Sequence, residues 1–279
     1  MLLPVFSYGV PMITVRVGLP MTTGHLPIAC ERMEAPALIS ANSLWDRKNK
    51  RFRSPGAAIC DLDVALDSAG FVAMTQYGGY LWSVEEYVEL AGLHSWTWWA
   101  QMDYCCEPEI ADSQQTIDSR IWASAYNLAY CRKVAQTWRT SGADWLQDPM
   151  PVIQGWSAKD YLRCIDLYDD VLRGNWPSLV GVGSVCRRSV SGQNGLLEIV
   201  SRLTSRLPDH VGLHLFGVKG SALPKLSNRV VSIDSAAWQY RARMIALEKN
   251  EPCTTTLKES VMNSWYQKQA MSQSQKKLF

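Results

Sequence analysis

Seven short apolar runs, each continuous rather than alternating, constrain this chain more than any other feature of its sequence. They fall at 37–40, 64–67, 96–103, 151–154, 179–183, 212–217 and 229–234. A strand with one face in water alternates apolar and polar residues. A strand covered on both faces does not, and such strands belong to parallel sheets flanked by helices. Amphipathic stretches at 84–91, 114–141, 157–173, 193–207, 220–227 and 236–248 lie between the runs and read as those helices. Ser157 suits the N-cap of one of them and Gly174 its end. Repeated strand–helix alternation predicts an α/β fold, and the count favours a TIM-like (β/α)8 barrel over an open sheet. No eighth strand is legible, with 253–257 as one place for it. Residues 1–35, which contain the strand-forming stretch 12–17, are expected to form a β-hairpin closing the barrel bottom. Residues 1–250 then make one barrel domain, and 251–279 a polar helix or tail that frays.

Composition excludes several classes. At 47% hydrophobic residues in 279, the chain can bury a core and is neither disordered nor collagen-like. No apolar run approaches the roughly 18 residues of a membrane helix, and the N-terminal stretch lacks an early basic cluster, so a membrane partner and a signal peptide are not expected. Eight scattered cysteines without paired spacing read as free thiols in a reducing, cytoplasmic setting. Net charge is only +2, but Arg47, Lys48, Lys50, Arg51 and Arg53 put five cations into seven residues. That run is either a solvated loop or a phosphate-contacting one. Twelve tryptophans, with Trp96, Trp98 and Trp99 close together, are read chiefly as core.

In a (β/α)8 barrel the carboxyl ends of all strands meet at one mouth. Those ends offer Asn42, Asp67, Asp103, Gln154, Gly183, Ser184 and Asp234. Three carboxylates and two amides around one mouth suit covalent or acid–base work on a polar substrate. The alternative is that each Asp caps the helix after it. His25, His94, His210 and His214 are dispersed, and only His214 lies in a run, as a wall residue. No metal site is legible.

These segments also resemble those of the tRNA-guanine transglycosylases. Residues 66–74, LDSAGFVAM, look like that family's T-D-S-G-G-F-Q-V-M, and 101–108, QMDYCCEP, contain its A-F-D-E-C-like element. VIQG at 152–155 is similar to I-Q-Q-G, VGSV at 182–185 to V-G-G-L, HLFGV at 214–218 to Y-L-M-G-V, and SIDS at 232–235 to M-F-D-C. Six matches in order over about 42–240 are specific. The departures are informative too. The C-x-C-x2-C…H zinc subdomain is missing, P-T-R is replaced by Ala236-Ala237-Trp238, and the glycine pairs read Ala69-Gly70 and Gly183-Ser184. With the short length, these look more like the deazapurine DNA-modification branch of phages and bacterial islands, whose members act in the cytoplasm of the cell or host.

The resemblance implies guanine exchange in DNA for a free 7-deazaguanine base, with no cofactor and with helper proteins as an open question. It makes Asp234 the nucleophile and Asp67 the general acid–base. Asp103 would read the guanine edge, Gln154 with Gly183 and Ser184 the O6 side, and Ser68 and Asn42 would orient neighbours. The base would have to leave the duplex. Arg187, Arg188 and a rim Trp238 are further candidates, Trp238 being read first as core. A tRNA-type enzyme without its zinc subdomain, a silent nucleic-acid-binding barrel and a retaining glycosidase stand as alternatives.

Overall fold

The computed structural model describes residues 12–274. Seven parallel strands build one curled sheet: β1 (Thr14–Leu19), β2 (Ala37–Ser40), β3 (Val64–Asp67), β4 (Val152–Ile153), β5 (Leu179–Val182), β6 (Gly212–Leu215) and β7 (Val230–Ser235). Their order across the sheet is β3-β2-β1-β7-β6-β5-β4. All pairings are parallel, as the continuous apolar runs require.

The missing strand lies at the amino end, not near 253–257. Thr14–Leu19, expected in a hairpin, pairs with β2 on one side and β7 on the other, and all but its first residue are buried. His25–Arg32 is helix α1, which also corrects the hairpin; residues 1–11 of that expectation lie outside the described residues. The run at 96–103 is not a regular strand. Its ladder contacts are two isolated bridges, Leu66–Trp99 and Ala100–Met150. The cause lies just beyond, where side chains take over the backbone. Asp103 N–H donates to the Tyr80 hydroxyl (3.1 Å), Tyr104 N–H to Ser124 Oγ (2.9 Å) and Cys106 N–H to Ser184 Oγ (2.7 Å).

The longer α-helices are α1, α2 (Val84–Gly92), α3 (Gln114–Thr140), α4 (Ala158–Leu172), α5 (Leu196–Arg206), α6 (Ala237–Glu248) and α7 (Thr255–Ser274). Helix α4 starts at a capping box in which Ser157 Oγ accepts from Asp160 N–H (3.3 Å) and the Asp160 carboxylate from Ser157 N–H (2.7 Å). It stops where Arg173 and then Gly174 turn left-handed. The helix expected at 220–227 is a 3-10 turn, Gly220–Lys225, because Pro224 cannot continue an α-helix. The tail expected to fray contains α7, anchored by buried Val261 and Met262 against α1 and α6. No helix among the described residues is long and apolar enough to cross a membrane.

Apolar side chains fill both faces of the sheet. Leu38, Ala65, Trp98, Ala100, Met150 and Val152 pack inside the curl, with Phe216 against them. Gly181 is required there, since a Cβ would lie 2.7 Å from the Phe216 ring. Trp96, Trp99 and Trp238 are also buried, and the Trp238 indole donates to Gly18 O (3.2 Å), so Trp238 is core and not rim.

Candidate active site

The carboxyl ends of the strands surround a cavity of about 180 Å³. Asp67 ends β3 and Asp234 is the penultimate residue of β7, while Asp103, Gln154 and Gly183-Ser184 follow the 97–101 segment, β4 and β5. All six residues line the cavity, so residues far apart in sequence share one volume. Parallel strands that end at a common level bring this about.

Asp103 is the most heavily bonded. Ser68 Oγ donates to its Oδ1 (2.6 Å), and Gln154 Nε2 donates to its Oδ2. The Tyr80 hydroxyl donates to its main-chain carbonyl (2.7 Å). Ser184 Oγ sits 2.7 Å from Gln154 Oε1 and 2.9 Å from Glu107 Oε2, extending the network along the wall. Asp234 Oδ1 accepts from Gly217 N–H (2.8 Å). His214 Nε2 stands 3.5 Å from that oxygen, too far for a firm bond, while its Nδ1 is 2.8 Å from Ser232 Oγ. Burial holds His214 below its ordinary range, so it is a neutral wall behind Asp234.

Burial raises two of the cavity's carboxyls. Asp67 is pushed up to about 7, first by burial and then by the charges of Asp103 and Asp234, against a modest opposing bond from Ala69 N–H (3.1 Å). That bond is the turn-capping role, so capping and a place in the cavity coexist in one residue. Asp103 is raised by burial too, opposed by its bonds from Ser68 and Gln154. Backbone approach is tight. A Cβ on Gly183 would sit 2.0 Å from Gln154 Nε2, and one on Gly70 would sit 2.6 Å from Asp103 O. Ala69 and Ser184, beside those glycines, are themselves left-handed, at φ 68° and 52°.

Other sequence-derived residues lie elsewhere. Ser68 is buried and supports Asp103. Asn42 is off the cavity, accepting from the Tyr77 hydroxyl (3.1 Å), to which Arg47 also donates. Arg47, Lys48 and Lys50 occupy the turn of an antiparallel ribbon, Trp45–Asp46 with Arg51–Phe52. The Asp46 carboxylate holds that turn, accepting from Lys48 N–H (3.0 Å) and Asn49 Nδ2 (2.8 Å). Trp45, Phe52 and Trp82 pack edge-on or tilted against one another at its base, and Arg53 donates to Ser43 O (2.9 Å). Arg188 does not face the site. It is buried and clamps Ser184 O, Trp156 O and Asn194 O. Arg187 lies over the Phe71 ring. Sequence reasoning misses Glu107 and Tyr80. Glu107 stands four residues beyond Asp103 in the same segment, whereas nothing local marks Tyr80. Among the described residues no group of three or more His, Cys, Asp or Glu is arranged to hold a metal ion.

The fold and the site define the class: a parallel α/β protein with a carboxylate-rich cavity at its strand ends. The family model for DpdA, DeoxyPurine in DNA protein A, matches residues 31–274. The chain belongs to that family, whose members are DNA-modification proteins similar to tRNA-guanine transglycosylases. No curated protein matches it.

Proposed function

We propose that this protein is a DNA-guanine transglycosylase that exchanges guanine in DNA for a 7-deazaguanine by double displacement. The observation that carries the reading is the convergence of Asp67, Asp103 and Asp234 on one cavity. The seven strands, with 97–101 bridging β3 to β4, are taken as an imperfect TIM-like barrel.

Exchange without strand scission must break and remake an N-glycosidic bond on one face of the sugar, which two displacements achieve. Asp234 has one oxygen held by Gly217 N–H and attacks C1′ with the other. The C1′–N9 electron pair leaves with guanine, which takes its proton from Asp67. Asp67 then accepts a proton from the incoming base as that base displaces the aspartyl ester. A group titrating near 7 serves both steps. Ionised Asp103 accepts from two adjacent N–H groups of the guanine edge, and Gln154 with Gly183 and Ser184 walls the O6 side. The free 7-deazaguanine base, with the same edge, is the second substrate. No cofactor and no metal enters this scheme. The basic ribbon at 47–53 is taken as a phosphate contact, and helper proteins that open the duplex fit the need to extrude the base.

The test is incorporation of radiolabelled guanine or 7-cyano-7-deazaguanine into matched DNA and tRNA, with Asp234→Ala as control. Label in DNA, absent from tRNA and lost in the variant, supports the proposal. Label in tRNA alone replaces it with the tRNA-type reaction. No label in either polymer, with nucleic-acid binding retained, replaces it with a silent binding module.

A further inference from the structure

Counting protons along the cavity wall exposes a group that the scheme above does not use. The Ser184 hydroxyl has one hydrogen and three polar neighbours. It accepts from Cys106 N–H at 2.7 Å, and it faces Gln154 Oε1 at 2.7 Å and Glu107 Oε2 at 2.9 Å. It can donate to only one of those two oxygens, so the other pairing needs a proton from elsewhere. Gln154 Nε2 is committed to Asp103.

Two arrangements with a single proton shared between Asp103 and Glu107 satisfy every pairing. In one, Asp103 is ionised, Gln154 donates to it, Ser184 donates to Gln154 Oε1, and a neutral Glu107 donates to Ser184. In the other, Asp103 carries the proton, the Gln154 amide is turned over, and Ser184 donates to an ionised Glu107. With the Gln154 amide oriented as it stands, the proton on Glu107 is the one that the pairing with Ser184 requires. The first arrangement gives the carboxylate two donors, Ser68 and Gln154, and charge-assisted bonds are the stronger kind. The second leaves Glu107 charged with Ser184 as its donor in this network. Arg120, the cation near this loop, gives its Nη1 to Cys105 O at 2.5 Å and not to either carboxyl.

We infer that Glu107 is a positioning residue of this cavity: as the neutral acid it donates to Ser184 and thereby fixes the Gln154 amide with its N–H toward an ionised Asp103. Burial, with only Ser184 and weaker local bonds opposing it, pushes Glu107 above the usual carboxylate range, in keeping with that geometry. The inference rests on the proposed function only in taking guanine as the ligand. The relay itself is a property of the free protein.

Two measurements test it. The first is the infrared spectrum of ligand-free protein with 13C-labelled glutamate at neutral pH, wild type minus Glu107→Gln. A protonated-carboxyl band present in wild type and lost in the variant is expected; a difference spectrum holding only carboxylate bands overturns the inference. The second is base exchange. Glu107→Gln keeps a donor to Ser184 and should leave KM for free guanine within about threefold. Glu107→Ala should raise it about tenfold with kcat little changed, the size of one missing hydrogen bond. Equal losses in both variants, or a loss confined to kcat, overturn it. If wild type exchanges no guanine, the proposed function fails, and the spectrum still decides the relay.

Discussion

Asp67 gives the cavity a measurable signature of its own. Its carboxyl titrates near 7 in the fold against an ordinary value of 3.8, so between those values the native state binds more protons than the unfolded chain. Stability contributed by this group is therefore present at low pH and is lost as pH rises through 7. Asp67→Asn removes the titration. Above pH 7 it should raise Tm by roughly 5–10 °C, an upper range from a shift of about three pKa units in a domain this size, and near pH 4 it should change little. A pH series of thermal melts on both proteins checks this, and the same variant should lose base exchange. The two left-handed residues make a paired prediction. Ala69 at φ 68° has a Cβ in a region that glycine occupies freely, so Ala69→Gly should stabilise by about 0.5–1 kcal/mol and keep activity. Ser184→Gly relieves similar strain but removes the hydroxyl shared by Cys106, Gln154 and Glu107, so KM for the base should rise about tenfold or more. Denaturant melts and base-exchange kinetics on the two variants separate backbone strain from side-chain bonding.

The ribbon Trp45–Asp46/Arg51–Phe52 is the element on which the DNA reading makes its own prediction. Its turn is held by Asp46 and its base by Trp45, Phe52 and Trp82, so Lys48, Lys50 and Arg51 can be replaced without loosening it, whereas replacing Arg47 also removes its contact with Tyr77. Replacing Arg47, Lys48, Lys50 and Arg51 with serine should weaken DNA binding roughly tenfold or more at low salt. Every phosphate left without its cation should flatten the log–log salt dependence by ~0.9. KM for free base should not move. Binding titrations at several salt concentrations read the slope, and an unchanged slope removes the ribbon from the DNA path. Elements are legible in the sequence where their signals are local. Continuous apolar runs locate β2, β3, β5, β6 and β7, and Ser157 with Gly174 bounds α4. They are illegible where distant partners decide. Thr14–Leu19 reads as a hairpin arm, and only its two parallel neighbours, β2 and β7, make it a central strand. The run at 96–103 reads as a strand, but the Tyr80, Ser124 and Ser184 side chains take the backbone groups of Asp103, Tyr104 and Cys106. For the site, strand ends point to Asp67, Asp103, Gln154 and Asp234, whereas Asn42, one turn past β2, bonds Tyr77 off the cavity.

The cavity straddles a thinly bonded seam of the curled sheet. Asp67 ends the strand on one side, Gln154 follows the strand on the other, and Asp103 leaves the segment between them. Along most of the sheet the strands share three or four paired residues, but the seam relies on five backbone bonds around Trp98–Gln101 and Met150. Thr97 and Ala100 N–H reach Val64 and Leu66 O, Leu66 N–H reaches Trp98 O, and on the far side Met150 N–H reaches Trp99 O while Gln101 N–H reaches Met150 O. What backs these few bonds is Trp98, buried inside the curl against His214 and Phe216, with the Arg16 guanidinium 5.4 Å over its ring. The resistance of the seam to opening therefore rests heavily on the packing centred on Trp98, with side-chain bonds at Ala100 and Gln101 beside it, while β1 and β7 are held from both sides. Amide exchange should follow that order, with Leu66, Ala100, Gln101 and Met150 opening at lower free energy than residues of β1 and β7. Trp98→Ala should lower global stability by about 3–5 kcal/mol and raise exchange first at the seam. At temperatures where the variant remains folded, it should still weaken guanine binding, because Asp103 and Gln154 no longer keep their mutual bond. Hydrogen-exchange mass spectrometry on wild type and variant decides the matter. Uniform protection across seam and centre, or a variant that binds base normally while its seam exchanges freely, would show that the cavity does not depend on this closure.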